Sequence, residues 1–99
     1  MEYERVFTEL CVNMNNILKK NVYVDTKLSG STGVMVLCQR GKLVCANVGD
    51  SGAILYLNEP QTGLRAVRLS EDHKPSDPIE RQRILSVGGK VHPCRRILP

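Results

Sequence analysis

Residues 33–38 (Gly33-Val34-Met35-Val36-Leu37-Cys38) are apolar without a break, and no other feature limits the fold of this 99-residue chain more. A short continuous apolar run predicts a strand covered on both faces. Covering both faces takes a layer on each side of the sheet. A chain of 99 residues has too little material for a second complete layer. The run therefore points to a piece of a larger sandwich or to a protomer of an assembly.

The rest of the chain supplies helices to cover one face. Residues 3–20 read as an amphipathic helix. Tyr3, Phe7, Leu10, Met14 and Ile17 fall on one face, widened by Val6, Cys11 and Leu18. This stripe reads as core packing. Lys19 and Lys20 suit the helix C-terminus, and Asn21 is a stop. Strands are predicted at about 33–38, 43–48, 53–57 and 64–69. Gln39 to Lys42 forms a turn in which Gly41 takes positive φ, and Gly49-Asp50 suits a second tight hairpin. A helix over 78–87 starts with Asp77 as cap, Pro78 at the first position and Glu80 completing a capping box. Gly88-Gly89 ends it. The class is α+β: an antiparallel meander flanked by helices, one domain or part of one over residues 1–99.

Composition narrows the function classes. Hydrophobic residues make up 41% and charged ones 24%, the balance of a globular protein, and aromatics are scarce. The net charge of +4 is spread out; the densest basic segment, Arg95-Arg96 with Lys90 and His92 nearby, has no interleaved aromatics, which argues against a nucleic-acid partner. No stretch approaches the length of a membrane span, and Met1 to Thr8 is charged, unlike a signal peptide. Cys11, Cys38, Cys45 and Cys94 show no metal-ligand spacing. In the hairpin through Arg40-Gly41, Cys38 faces Leu43 and Cys45 faces Val36, so these cysteines are diagonal neighbours poorly placed for a bridge. Four free thiols in a reducing compartment, cytoplasmic or nuclear, are expected.

Three short segments carry chemistry: Ser29-Gly30-Ser31-Thr32, Ala46-Asn47-Val48-Gly49-Asp50-Ser51 and Asp72-His73-Lys74-Pro75. After them come Glu80-Arg81-Gln82-Arg83-Ile84 and Gly88-Gly89-Lys90-Val91. In this order they resemble the metal-dependent PP2C-type protein serine/threonine phosphatases, from the first helix to about Val91. The resemblance implies an α-β-β-α sandwich, of which this chain is the central part. It also implies hydrolysis of phosphoserine and phosphothreonine in phosphoprotein substrates by water activated on Mg²⁺ or Mn²⁺.

The chain departs from the family where Gly52 stands in place of the usual arginine after Gly-Asp-Ser. The family's early acidic motif and first Asp-Gly lie upstream of these segments, and two aspartate motifs lie downstream of them. Most ligands of the binuclear centre are therefore expected to be missing here, and the chain alone to be inactive.

The resemblance assigns Asp50 to the metal centre, at the site of an additional, weaker ion. One carboxylate does not hold such an ion alone. Ser31 and Thr32 have no His/Asp pairing, and catalysis by metal-bound water needs no protein nucleophile, so no residue here is read as catalytic. Ser29, Gly30, Ser31 and Thr32 are read as structural, with Gly30 allowing close packing. Gly49 and Ser51 support the turn. His73 and Lys74 are an acid or a phosphate contact on one reading and structural hydrogen-bonding residues on the other. His92 and Cys94 lack a second ligand pair. Should Asp50 not suffice, Asp25, Glu71, Asp72 and Asp77 are the remaining carboxylates to search. Two accounts stay open: a partial segment of an active phosphatase, or a non-catalytic module of the same fold that binds a partner or phosphoprotein. Association through the uncovered sheet face is expected in either.

Overall fold

A computed structural model describes residues 2–94 of the chain. The Arg95-Arg96 pair lies outside the described residues. The order is α1 (Glu2–Lys20), β1 (Gly33–Gln39), β2 (Lys42–Val48), β3 (Ile54–Glu59), β4 (Gly63–Arg68) and α2 (Pro78–Ser86). This is an α+β arrangement of two helices and two antiparallel two-stranded sheets, β1-β2 and β3-β4.

The first hairpin has the register expected from its turn. Val36 stands opposite Cys45, and Cys38 opposite Leu43. Arg40 and Gly41 both take positive φ, 52° and 72°. This is the two-residue turn whose twist matches that of the strands it joins. All four cysteines are free. The second hairpin closes over residues 60–62, with Gly63 at φ 75°. The Glu59 carboxylate accepts hydrogen bonds from Thr62 Oγ1 at 2.8 Å and Arg65 Nη2 at 2.9 Å, which fastens that loop.

The tight hairpin expected at Gly49-Asp50 is not formed. β2 and β3 belong to separate sheets, so the four strands are two consecutive hairpins rather than one continuous ladder. The reason lies in the backbone of Gly49. Its carbonyl accepts the His73 N–H at 2.9 Å, and its own N–H donates to His73 Nδ1 at 3.4 Å. Engaged with residue 73, Gly49 is not available to close a β2-β3 turn.

Pro78 opens α2 as expected, but the capping box is absent. Asp77 makes no side-chain cap, and Glu80 accepts from Arg83 Nε at 2.9 Å instead of reaching back. That pairing holds the Glu80 carboxyl below the usual range, chiefly through the hydrogen bond from Arg83. The helix ends in a Schellman motif. The Gly89 N–H donates to Ile84 O at 2.9 Å and the Gly88 N–H to Leu85 O at 3.1 Å, with Gly88 at φ 85°.

No hydrophobic side chain is fully buried among the described residues. The stripe on α1 is core-like only at one end. Tyr3, Phe7 and Cys11 are half-buried, and the Tyr3 hydroxyl donates to Gln39 Oε1 at 2.7 Å. Leu10, Met14 and Ile17 are 45%, 50% and 60% exposed, because among the described residues no element packs closely against that half of the helix. A groove of about 810 Å³ runs there, lined by Met14, Leu18, Met35 and Val48. Met35 faces α1, so the alternation along β1 turns Val34 and Val36 to the opposite, open face.

Candidate functional site

The structure gathers the three motif segments at one place, where β2 ends. Asn47 is the polar residue that joins two of them. It lies near the end of an otherwise mostly apolar strand, on the sheet face away from α1, across from Val34. Its Nδ2 donates to Gly49 O at 3.0 Å and to Glu71 O at 2.8 Å. One side-chain amide thus ties the turn 49–51 to the start of the Asp-His-Lys-Pro segment. The two contacts of the Gly49 backbone with His73, one to its N–H and one to its ring, repeat the tie one residue further on.

The third segment is held by Thr32. Its Oγ1 shares a 2.7 Å hydrogen bond with Ser51 Oγ. Its methyl-bearing face lies against Gly49: a Cβ on Gly49 would sit 2.8 Å from Thr32 Cβ and closer still to Cγ2. The close approach expected at Gly30 is therefore found at Gly49. A Cβ on Gly30 meets nothing within 4 Å. Ser31 Oγ donates to Thr32 O at 2.9 Å, and the Ser29 N–H to Asp25 O at 3.1 Å, so both are bonded within their own loop.

Sequence reasoning passed over a second cluster beside the first. Ser70 is the one buried polar residue among the described ones, at 9% exposure. Its Oγ accepts the Ala53 N–H at 3.0 Å, and its carbonyl accepts Arg68 Nε at 3.2 Å. Arg68 Nη2 reaches Asp72 Oδ1 at 2.7 Å. These contacts span connections rather than neighbouring positions on an element, so no periodic pattern announces them. Asn47 did carry a signal: an isolated amide next to a Gly-Asp pair in a half-buried strand needs a polar partner.

Asp50 stands at the outer edge of this knot. It is exposed, and its carboxylate accepts no hydrogen bond among the described residues. Lys74 is exposed too, and its carbonyl accepts the Asp77 N–H at 2.9 Å. A depression of about 300 Å³, which neither of them lines, is bounded by Glu71, Asp72, His73, Asp77 and Glu80. Among the described residues no three His, Cys, Asp or Glu side chains converge in a way that could hold a metal ion. The residues present therefore do not make a divalent-cation site by themselves; Asp50 offers one free oxygen donor.

Replacing Asn47 by Asp keeps the shape of the side chain and removes both N–H donors. A carboxylate would then face two carbonyl oxygens. Asn47→Asp is expected to cost about 2 kcal/mol, the loss of two hydrogen bonds with repulsion left behind. Amide exchange at His73 reports it: protection there should fall by tenfold or more while the β1-β2 ladder keeps its own.

The family model described as "Protein phosphatase 2C" matches residues 4–99. Among similar proteins, "Probable protein phosphatase 2C 14" of Oryza sativa subsp. japonica is 38% identical over 97 residues, covering 91% of this chain and 19% of the relative. "Putative protein phosphatase 2C 22" of the same plant is 37% identical, covering 90% of this chain and 14% of the relative. "Probable protein phosphatase 2C 73" of Arabidopsis thaliana is 32% identical, with 90% and 24% covered. The chain spans between 14% and 24% of the length of these relatives. No solved structure matches the chain significantly.

Proposed function

The chain belongs to the protein phosphatase 2C family, and from that premise we propose that it forms the central part of a phosphatase domain that hydrolyses phosphoserine and phosphothreonine in proteins. The observation that carries the reading is the convergence of the three motif segments on one turn, with Asp50 projecting from it unpaired. In the proposed role Asp50 contributes one oxygen ligand to a Mg²⁺ or Mn²⁺ site whose other ligands come from segments outside these motifs. A divalent ion bound there would neutralise phosphate charge and make a bound water more acidic. What this chain itself supplies is position. Asn47, Thr32 and His73 hold the turn so that the Asp50 carboxylate faces outward rather than into a local hydrogen bond.

The 99-residue chain purified alone is expected to show no Mn²⁺-dependent hydrolysis of a small phosphate ester. Set in place of the matching segment of the rice phosphatase 2C 14 protein, it is expected to support hydrolysis of a phosphothreonine peptide. Asp50→Ala in that setting should lower turnover at limiting Mn²⁺ by tenfold or more. A folded hybrid without activity, or one indifferent to Asp50, would overturn the proposal. The first of these outcomes would favour the second reading, a non-catalytic module that binds a partner or phosphoprotein. That reading draws on the absence, among the described residues, of any three converging metal donors.

A further inference from the structure

Ser86 is the last residue of α2, and no other hydroxyl of the chain has its surroundings. Arg83 stands three positions before it and Arg81 five before, in the run Arg81-Gln82-Arg83-Ile84-Leu85-Ser86. No other Ser or Thr has a basic residue at both places. Thr8 follows Arg5 by three but Tyr3 by five. Ser70 follows Arg65 by five but Val67 by three, and Ser70 is buried. Ser86, Arg81 and Arg83 are all exposed.

Within the helix the two arginines do not act together. Positions two apart on a helix point roughly 200° away from each other. Arg83 is also tied down: its Nε donates to Glu80 Oε2 at 2.9 Å and its Nη2 to Glu80 Oε1 at 2.5 Å. In an extended chain the same two guanidiniums come to one side, about 6.6 Å apart. α2 is suited to that change. It has nine residues and no buried side chain, a length that is unstable as a helix by itself. Its backbone comes close to no other helix or strand among the described residues. The last turn is held by Ser86 Oγ donating to Arg83 O at 2.7 Å and by the N–H groups of Gly88 and Gly89.

We propose that Ser86 is a phosphorylation site, recognised in an unwound α2 by a serine kinase with an acidic substrate cleft, and that the phosphate then holds α2 open. Arg81 and Arg83 pair with the acidic groups of that cleft, the kind of charge pattern by which kinases select substrates. Ser86 Oγ bonds to the γ-phosphorus of a nucleoside triphosphate, the bond from that phosphorus to the bridging oxygen breaks, the nucleoside diphosphate leaves, and the hydroxyl proton passes to a carboxylate of the kinase. The product carries a charge of about −1.5 to −2. It sits at the negative end of the helix dipole, where an anion is disfavoured, and it can no longer donate to Arg83 O. It also competes for Arg83 with the single charge of Glu80. Loss of Arg83 frees Glu80 beside the depression bounded by Glu71, Asp72 and His73. α2 starts three positions after Pro75, so its opening reaches the end of the Asp-His-Lys-Pro segment, where the Asp77 N–H donates to Lys74 O. The inference stands on α2 itself and not on the phosphatase reading.

The test incubates the 99-residue chain with protein kinase B, an arginine-directed serine kinase, and Mg-ATP, and locates the phosphate by mass spectrometry. Phosphate is expected at Ser86 and is lost in Ser86→Ala. Arg83→Gln and Arg81→Gln should each lower kcat/KM for the chain about tenfold or more. Glu80→Gln, which releases Arg83 from its helical partner, should raise it about threefold. In the phosphorylated chain, amide exchange at Gly88 and Gly89 should quicken about fivefold or more while the β1-β2 ladder is unchanged. Glu80 should titrate higher, toward the ordinary carboxylate range, because Arg83 is what holds it down. Phosphate that goes first to another hydroxyl, or a rate indifferent to both arginines, overturns the site. A slower Glu80→Gln chain overturns recognition of the unwound helix. A phosphorylated chain with unchanged exchange at Gly88 and Gly89 and an unchanged Glu80 overturns the opening.

Discussion

Gly49→Ala is expected to destabilise the motif cluster by about 3 kcal/mol or more. Two costs coincide. Gly49 sits at φ 101°, where an L side chain is strained by about 1–3 kcal/mol. The new Cβ would also overlap Thr32, at 2.8 Å from its Cβ. Overpacking of this kind costs about 1–3 kcal/mol, and Thr32 is β-branched and cannot swing its methyl away freely. Gly41→Ala is the control. Gly41 also has positive φ, 72°, but a Cβ there meets nothing within 4 Å. It should lose only the conformational part, about 1 kcal/mol. Urea midpoints of the two variants decide the point, together with exchange protection at His73. Equal losses would mean that the approach of Thr32 to the turn contributes nothing.

The contrast between these glycines shows what the sequence could and could not disclose. Gly41 was legible because a two-residue turn between apolar strands dictates positive φ locally. The register of β1 with β2, down to Cys45 opposite Val36, follows from the same turn. Gly49 looked equivalent, a Gly-Asp pair between two strands, and the hairpin expected there does not exist. Its backbone is engaged with His73, twenty-four positions away, and nothing in the local pattern encodes a partner at that distance. The same limit hid Ser70, whose hydroxyl accepts the Ala53 N–H from seventeen positions away; Arg68 pairs only two and four positions on, but with residues beyond the end of its strand, where no strand period applies. It also explains the capping box at α2. The Asp77-Pro78-Ile79-Glu80 signature was present, but Arg83, one turn further on, takes the Glu80 carboxylate with a bidentate pair that outcompetes a single backbone N–H. The motif segments were legible as types of residue. Their meeting at the end of β2 was not, because three weak signals in sequence become one site only through long-range hydrogen bonds.

The exposed apolar surface leads to the second large effect: the purified chain is expected to associate with itself. Its accessible surface is 9110 Å². A compact folded monomer of this mass would expose about 5,600 Å². The excess, about 3,500 Å², exceeds the roughly 1,600 Å² that a stable interface removes from water. The radius of gyration points the same way, 17.5 Å against about 13 Å for a compact domain of this length. The excess is not spread evenly over polar groups. Val36 and Ile54 are each 50% exposed and Tyr56 65%, on strands whose outer edges are unpaired. In a larger sandwich a second sheet would cover the Val34-Val36 face. In the isolated chain a second copy is the available cover, and a net charge of only +4 opposes it weakly. Sedimentation should show species heavier than 11.0 kDa. Val36→Lys, which places a charge in the middle of the open face of β1, should weaken association about tenfold or more by forcing that charge to be buried or the face to separate. Met14→Lys, on the α1 groove, should do less, because that side is already partly closed by the helix itself. A chain that stays monomeric at high concentration would mean that its apolar faces close on each other in solution. Equal effects of the two lysines would place the contact at the groove as much as at the sheet, and the continuous apolar run of 33–38 would then no longer be what sets the partner surface.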